Sequence, residues 1–227
     1  PFVAPEKWKE KFKKAGYPEG AQGFYGMIEN IDYNMGILLE RIEAYGIEDN
    51  TVVIFMSDNG KSYKRDKKNP ETTYNAGMKG VKTTPHRGGT RGPFFFKWPE
   101  VTKPGGTDIE VLAAHIDLYP TLCDISGIEQ KGEWQYQGRS LMPLIRNQPE
   151  PWGPRKIFFH VARWKPEHDF RNFKYKRFAV RNERFRLIAG DELYDIKNDP
   201  GQEKNVIEEY PQVTSDMMKA YEAWWQE

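Results

Sequence analysis

The ten residues Thr51–Gly60, TVVIFMSDNG, constrain this chain more than any other stretch. Almost every residue of Thr51–Met56 is β-branched or large and apolar, which reads as a fully buried strand. The strand then breaks into Ser57, Asp58, Asn59 and Gly60, a polar turn that sets a carboxylate beside an amide. In open α/β sheets ligands sit at the carboxyl ends of strands, and this pair falls there. Both side chains offer hard oxygen atoms, which suit Ca²⁺ or Mg²⁺ better than a soft metal. Taken alone, the same four residues also fit a plain turn or an N-cap.

A second segment follows some twenty residues on. Met78–Pro99, MKGVKTTPHRGGTRGPFFFKWP, sets a lysine, a glycine pair, an arginine, a proline, an apolar run and Trp-Pro in order. Lys82 stands six residues before Gly88, and Gly88-Gly89-Thr90-Arg91-Gly92-Pro93 follows. HIDLYPTLCDISGI at His115–Ile128, Gly138-Arg139-Ser140-Leu141 and ELYDIKNDPGQEKN at Glu192–Asn205 complete the series. Together with SDNG, these motifs resemble the sulfatase family of the alkaline-phosphatase-like superfamily, over nearly the whole chain.

The resemblance implies an α/β fold. Residues 1–150 would form the C-terminal part of a doubly wound sheet domain, and 151–227 a small α+β subdomain with a short antiparallel sheet and a C-terminal helix. It implies hydrolysis of sulfate monoesters, with a sulfated carbohydrate as the expected substrate. By the same resemblance Asp58 and Asn59 ligate Ca²⁺ (Mg²⁺ being the alternative), and Lys82 contacts the sulfate. The family nucleophile is a formylglycine made in a C/S-x-P-x-R motif. The one cysteine, Cys123, is followed by Asp124-Ile125-Ser126-Gly127, and no Ser-x-Pro-x-Arg is present. The opening PFVAPEKWKEKF looks like the segment after a family Pro-His-x-Pro element, which puts the active-site histidine two residues before Pro1. The chain is therefore expected to need the remainder of its catalytic domain and to be inactive alone, and the family likeness suggests a secreted or periplasmic protein.

Composition narrows the alternatives. With 34 basic and 33 acidic residues, the charge balance argues against a dedicated nucleic-acid binder. No apolar run approaches the roughly 18 residues of a membrane span, and a single cysteine excludes an internal disulfide.

Periodicity supplies the elements. Pro5–Gly16 reads as a short amphipathic helix opened by proline and closed by glycine. Ala21–Tyr45 is a longer one, and its stripe of Met27, Ile31, Met35, Leu38 and Ile42 predicts a core-facing side. Lys61–Thr84 is lysine-rich and aperiodic, hence a long loop. Phe94–Trp98 reads as a second buried strand, and Ile109–Gly127 as a strand entering a helix. Pro149, Pro151 and Pro154 mark the boundary. Beyond it Lys156–Val161, Phe178–Arg181, Phe185–Ala189 and Glu192–Tyr194 predict short antiparallel strands, and Gln212–Trp225 an amphipathic helix.

The remaining candidates are weaker. His86, four residues after Lys82, is a candidate substrate contact, as are His160 and Arg163, because by resemblance the small domain lends side chains to the substrate rim. Arg87 stands where the family commonly has an acidic residue. His115 and Cys123 read as structural, Asp117 as an N-cap or core-edge hydrogen-bonding residue, and Arg91 as a brace of the loop. Two other functions stay open: a phosphodiesterase or phosphonate monoester hydrolase of the same superfamily, and a non-catalytic domain binding an acidic carbohydrate or a partner through Lys61–Lys68 and the aromatic C-terminal unit.

Overall fold

Pro5 and Pro18 each stand just before a helix, where a fixed φ and a missing N–H cost nothing. The computed structural model describes residues 2–63, 73–102, 104–129, 137–148, 152–161, 165 and 167–226. Helix α1 spans Glu6–Lys14 and packs against α2, Glu19–Ala44. Close approach is possible because Gly23 faces the carbonyl of Phe2 and Gly26 faces Ala4 and Trp8. Phe24 stacks on Tyr63 beside that contact with Phe2 edge-on to both, and Phe12, Tyr17 and Tyr25 extend it.

Strand β1, Val53–Met56, pairs antiparallel with β2, Phe94–Lys97, Met56 opposite Phe94. Helix α3 (Arg87–Thr90) is the single turn at the glycine pair. A 3₁₀ turn at His115–Asp117 leads into α4 (Leu118–Ser126), closed by Gly127 in the left-handed region, and α5 (Met142–Ile145) follows. Strands β3 (Ile157–His160), β4 (Phe178–Arg181), β5 (Phe185–Ile188) and β6 (Glu192–Asp195) form an antiparallel meander in that order. Helix α6, Pro211–Gln226, covers one face of it.

That meander holds the core. Phe178, Val180, Leu187, Leu193, Met217 and Tyr221 are fully buried between sheet and α6, with Phe178 stacked on Tyr221. The opposite sheet face carries Ala179, Ile188 and Tyr194, beside Arg181 and Arg186. The four strands and α6 lie where alternation and helical period predict them.

Three expectations, two of burial and one of a strand, fail in the first 129 residues. The stripe on α2 is not core: Met27, Ile31 and Leu38 are exposed, because only the start of the helix meets α1. Strand β1 is half-buried rather than fully buried, and Phe94 and Phe95 of β2 are exposed, since each strand has only the other as partner among the described residues. Ile109–Ala114 forms no strand, having no described edge to pair with. No described helix is long and apolar enough to cross a membrane.

Candidate functional site

The turn after β1 is interlocked with the glycine pair by backbone alone. Gly60 N–H donates to Gly89 O at 3.0 Å, Ser57 N–H to Pro93 O at 3.3 Å, and Lys82 N–H to Lys61 O at 2.8 Å. A Cβ on Gly60 would lie 2.0 Å from Gly88 O, and one on Gly88 would lie 2.3 Å from Gly80 O. Only glycine allows these chains to touch. Asn75 tightens the loop by donating through Nδ2 to Met78 O and Gly80 O. The Ser57 hydroxyl donates to Asn59 O, and Ser57 O is bonded by His115 Nε2 at 2.8 Å.

Asp58 and Lys82 are thereby carried to the surface on fixed backbone. Among the described residues, no hydrogen bond or ion pair engages the Asp58 carboxylate, the Asn59 side-chain amide or the Lys82 ammonium. The set comprises two hard oxygen donors and a cation. The donor chemistry fits Ca²⁺ or Mg²⁺, but two side chains fall short of the six to eight oxygens that Ca²⁺ takes. No cluster of three acidic, histidine or cysteine residues able to hold a metal occurs among the described residues.

The other candidates lie elsewhere. His86 Nε2 is 3.3 Å from Glu192 Oε2, in a group with Lys79 Nζ, which donates to Tyr194 Oη at 2.7 Å, and Tyr194 Oη, which donates to Glu192. Burial lowers the His86 pKa, outweighing the pull of Glu192, and Lys79 pushes the same way as burial. Burial also works against ionised Glu192, yet Tyr194, Lys79 and His86 together hold its carboxyl below the usual range. His160 is on the α6 face of β3, its Nε2 2.9 Å from Phe173 O and its ring against Trp225. Neither histidine joins Asp58 and Lys82. Arg163 lies outside the described residues, as do Pro149 and Pro151 of the boundary.

Two supports were underestimated from sequence. Asp117 is fully buried and is more than a cap: it accepts from Ala114 N and Arg139 N and takes Arg155 Nη1 on both oxygens at 2.9 Å. Arg186, fully buried on β5, donates through Nε to Pro85 O and through Nη2 to Thr90 Oγ1. The bracing expected of Arg91 is done by Arg186; Arg91 is exposed and its guanidinium has no hydrogen-bond partner among the described residues. An arginine alternating with apolar residues in FRLI was the available signal for Arg186.

Comparison with known proteins decides the family. Residues 1–128 match the family model described as Sulfatase, and residues 82–226 match that of N-sulphoglucosamine sulphohydrolase, C-terminal. The chain belongs to the sulfatase family. A sulfatase of Formosa agariphila is 30% identical over 92% of this chain and 40% of its own length. An N-acetylglucosamine-6-O-sulfatase of Bacteroides thetaiotaomicron is 26% identical over 91% of this chain and 36% of its own. The chain thus spans about two-fifths of these sulfatases. Among solved structures, Ps i-CgsB in complex with k-i-k-neocarrahexaose aligns with a TM-score of 0.80 at 24% identity, over 99% of this chain and 47% of that one. The phosphonate monoester hydrolase of Agrobacterium radiobacter aligns at 0.63 and 23% identity, over 89% and 41%. These two likenesses show that this chain shares the fold of the matched parts of both structures.

Proposed function

We propose that this chain is the C-terminal part of a formylglycine-dependent sulfatase that cleaves a sulfate monoester of a carbohydrate. The observation that carries this is the uncommitted trio Asp58, Asn59 and Lys82, held on a backbone that only glycines at 60 and 88 permit. Sulfate-ester cleavage builds negative charge on the sulfuryl oxygens and the leaving alcohol, and oriented cations stabilise it most efficiently. In this reading Asp58 and Asn59 are two of the oxygen ligands of a Ca²⁺, or a Mg²⁺, and the ion when bound supplies Lewis-acid stabilisation of the sulfate. Lys82 brings its ammonium to the sulfate as a second cation. The nucleophile and the other ligands belong to the remainder of the catalytic domain, which also covers the exposed face of α2; without it the chain is inactive.

The carbohydrate reading is supported by the N-acetylglucosamine-6-O-sulfatase among the relatives. His86, His160 and Arg163 are assigned to the substrate rim. His86 is engaged by Glu192 on the sheet face that looks onto the glycine-pair turn, whereas His160 is bonded to Phe173 O on the opposite, α6 face.

The test uses the reading frame that includes sequence before Pro1, assayed on a sulfated N-acetylglucosamine and on a phosphonate ester. Sulfate release is expected, abolished by a chelator and lowered about 10²–10³-fold by Lys82→Ala. Unchanged release in the variant, or preferential cleavage of the phosphonate, overturns the reading.

A further inference from the structure

A group of arginines outside the trio has no carboxylate in a salt bridge with it among the described residues. Arg181 of β4 and Arg186 of β5 are directly opposite each other in the antiparallel ladder, so both side chains leave the same face of the sheet. That face looks onto the glycine-pair turn, since Arg186 bonds Pro85 O and Thr90 Oγ1. Arg87, the first residue of α3, is fixed over the same seam: its N–H donates to Gln202 Oε1 at 2.7 Å, and its Nη1 to Pro200 O at 3.3 Å.

Like charges facing each other across a ladder are unfavourable unless something offsets them. What surrounds this group does so poorly. Arg186 sits 4.5 Å over the Phe159 ring. Among the described residues, Glu183 is the carboxylate that acts on Arg181, but it is exposed and accepts from Arg155 N. Glu192 shares the sheet face and is taken by His86, Lys79 and Tyr194. Arg91 adds a further positive charge. Burial first, and then the neighbouring guanidinium groups, push Arg186 down to about 9 and Arg181 down to about 10. Guanidinium groups keep their protons in proteins, so the charge stays and needs a partner. Four buried donors point to where that partner sits: Arg87 Nε, Arg181 Nε, Arg186 Nη1 and Gln202 Nε2 make no hydrogen bond among the described residues. Arg186 is at once wholly inaccessible and unsatisfied at Nη1, beyond the three bonds by which Nε and Nη2 clamp the loop.

We propose that the seam between the glycine-pair turn and the small sheet is an anion site, in which Arg87, Arg181 and Arg186 hold one small inorganic anion such as chloride or sulfate. Because Arg186 is completely buried, the ion assigned to it is a compact one rather than a saccharide or a peptide carboxylate. The ion completes the joint between the loop that carries Lys82 and the subdomain that backs it.

The experiment is thermal unfolding of the full chain, titrated with chloride or with sulfate against gluconate at constant ionic strength. The same series is run on Arg87→Glu, which puts a carboxylate into the seam, and on the neutral Arg87→Gln. A saturable rise is expected in the unsubstituted chain, roughly 5–10 °C once the ion exceeds its Kd about a hundredfold. Whichever of chloride and sulfate saturates at the lower concentration is the occupant. Arg87→Gln weakens the response, while Arg87→Glu abolishes it and melts higher than the unsubstituted chain in gluconate. A rise that does not saturate and is shared by Arg87→Glu is a bulk salt effect and overturns the site. No response to either ion, or an Arg87→Glu that melts lower with the response intact, overturns it as well.

Discussion

At the residue scale, a buried ion pair joins Asp117 and Arg155: Nη1 of Arg155 meets both carboxylate oxygens, the two side chains being 0% and 4% exposed. Breaking a buried pair from one side leaves the other charge stranded, which costs about 3–5 kcal/mol. Arg155→Met is therefore expected to lower the unfolding free energy by about that amount. Urea denaturation followed by tryptophan fluorescence checks it; a loss under 1 kcal/mol contradicts the hub. Asp117 also ties the Gly138-Arg139 segment to the start of α4, through Arg139 N and through Thr121 Oγ1, which accepts from Leu141 N. The sequence marked Asp117 as a hydrogen-bonding residue. Its partner Arg155, 38 positions away, carried no local signal, because the pairing is made by tertiary contact alone.

At the scale of elements, the strand–turn unit and the glycine-pair turn work as one piece. The expected outcome of Gly60→Ala follows from its contact distance: a methyl at 2.0 Å from Gly88 O cannot be accommodated by a side-chain rotation, because the obstacle is backbone. The turn must shift, which displaces Asp58 and Asn59 together. Their contribution to metal affinity is expected to fall at least tenfold in the catalytic domain, measured by calcium titration calorimetry, with an unchanged affinity arguing against their role as ligands. The existence of these elements was legible, since an apolar run ended by Ser-Asp-Asn-Gly and a Gly-Gly pair are local signals. Their burial was not. An apolar stripe on α2 or an apolar run in β2 records what a segment must be able to bury, and Met27, Ile31 and Phe95 stay exposed because no described layer covers them.

For the whole molecule, the seam between the loop region and the meander is polar and charged, and its stability should depend on pH. The His86 pKa is depressed from its ordinary 6.5, so the unfolded chain takes up that proton first. The His86 contribution is whole above pH 6.5 and is lost as the pH falls through the folded value. Glu192, also depressed, loses its contribution further down, below its ordinary 4.5. The melting temperature is expected to decline from pH 6.5 towards 5, and His86→Gln to flatten that decline; parallel curves for the two proteins would show that another group is responsible.

The sequence by itself determined the family, the four strands and closing helix of the small subdomain, and the order of motifs that bring Asp58, Asn59 and Lys82 into play. Those features are written in short-range patterns: alternation, helical period, and turn residues at fixed spacing. Tertiary structure alone decided that the trio's side chains are left uncommitted among the described residues while His86 and His160 are engaged, and that Asp117 at the start of α4 is anchored by Arg155. It also decided that Arg181 and Arg186 face one another beneath Arg87. Each of these depends on which distant backbone comes alongside, and residues such as Arg87 and Arg186, some hundred positions apart, meet only once the chain has closed.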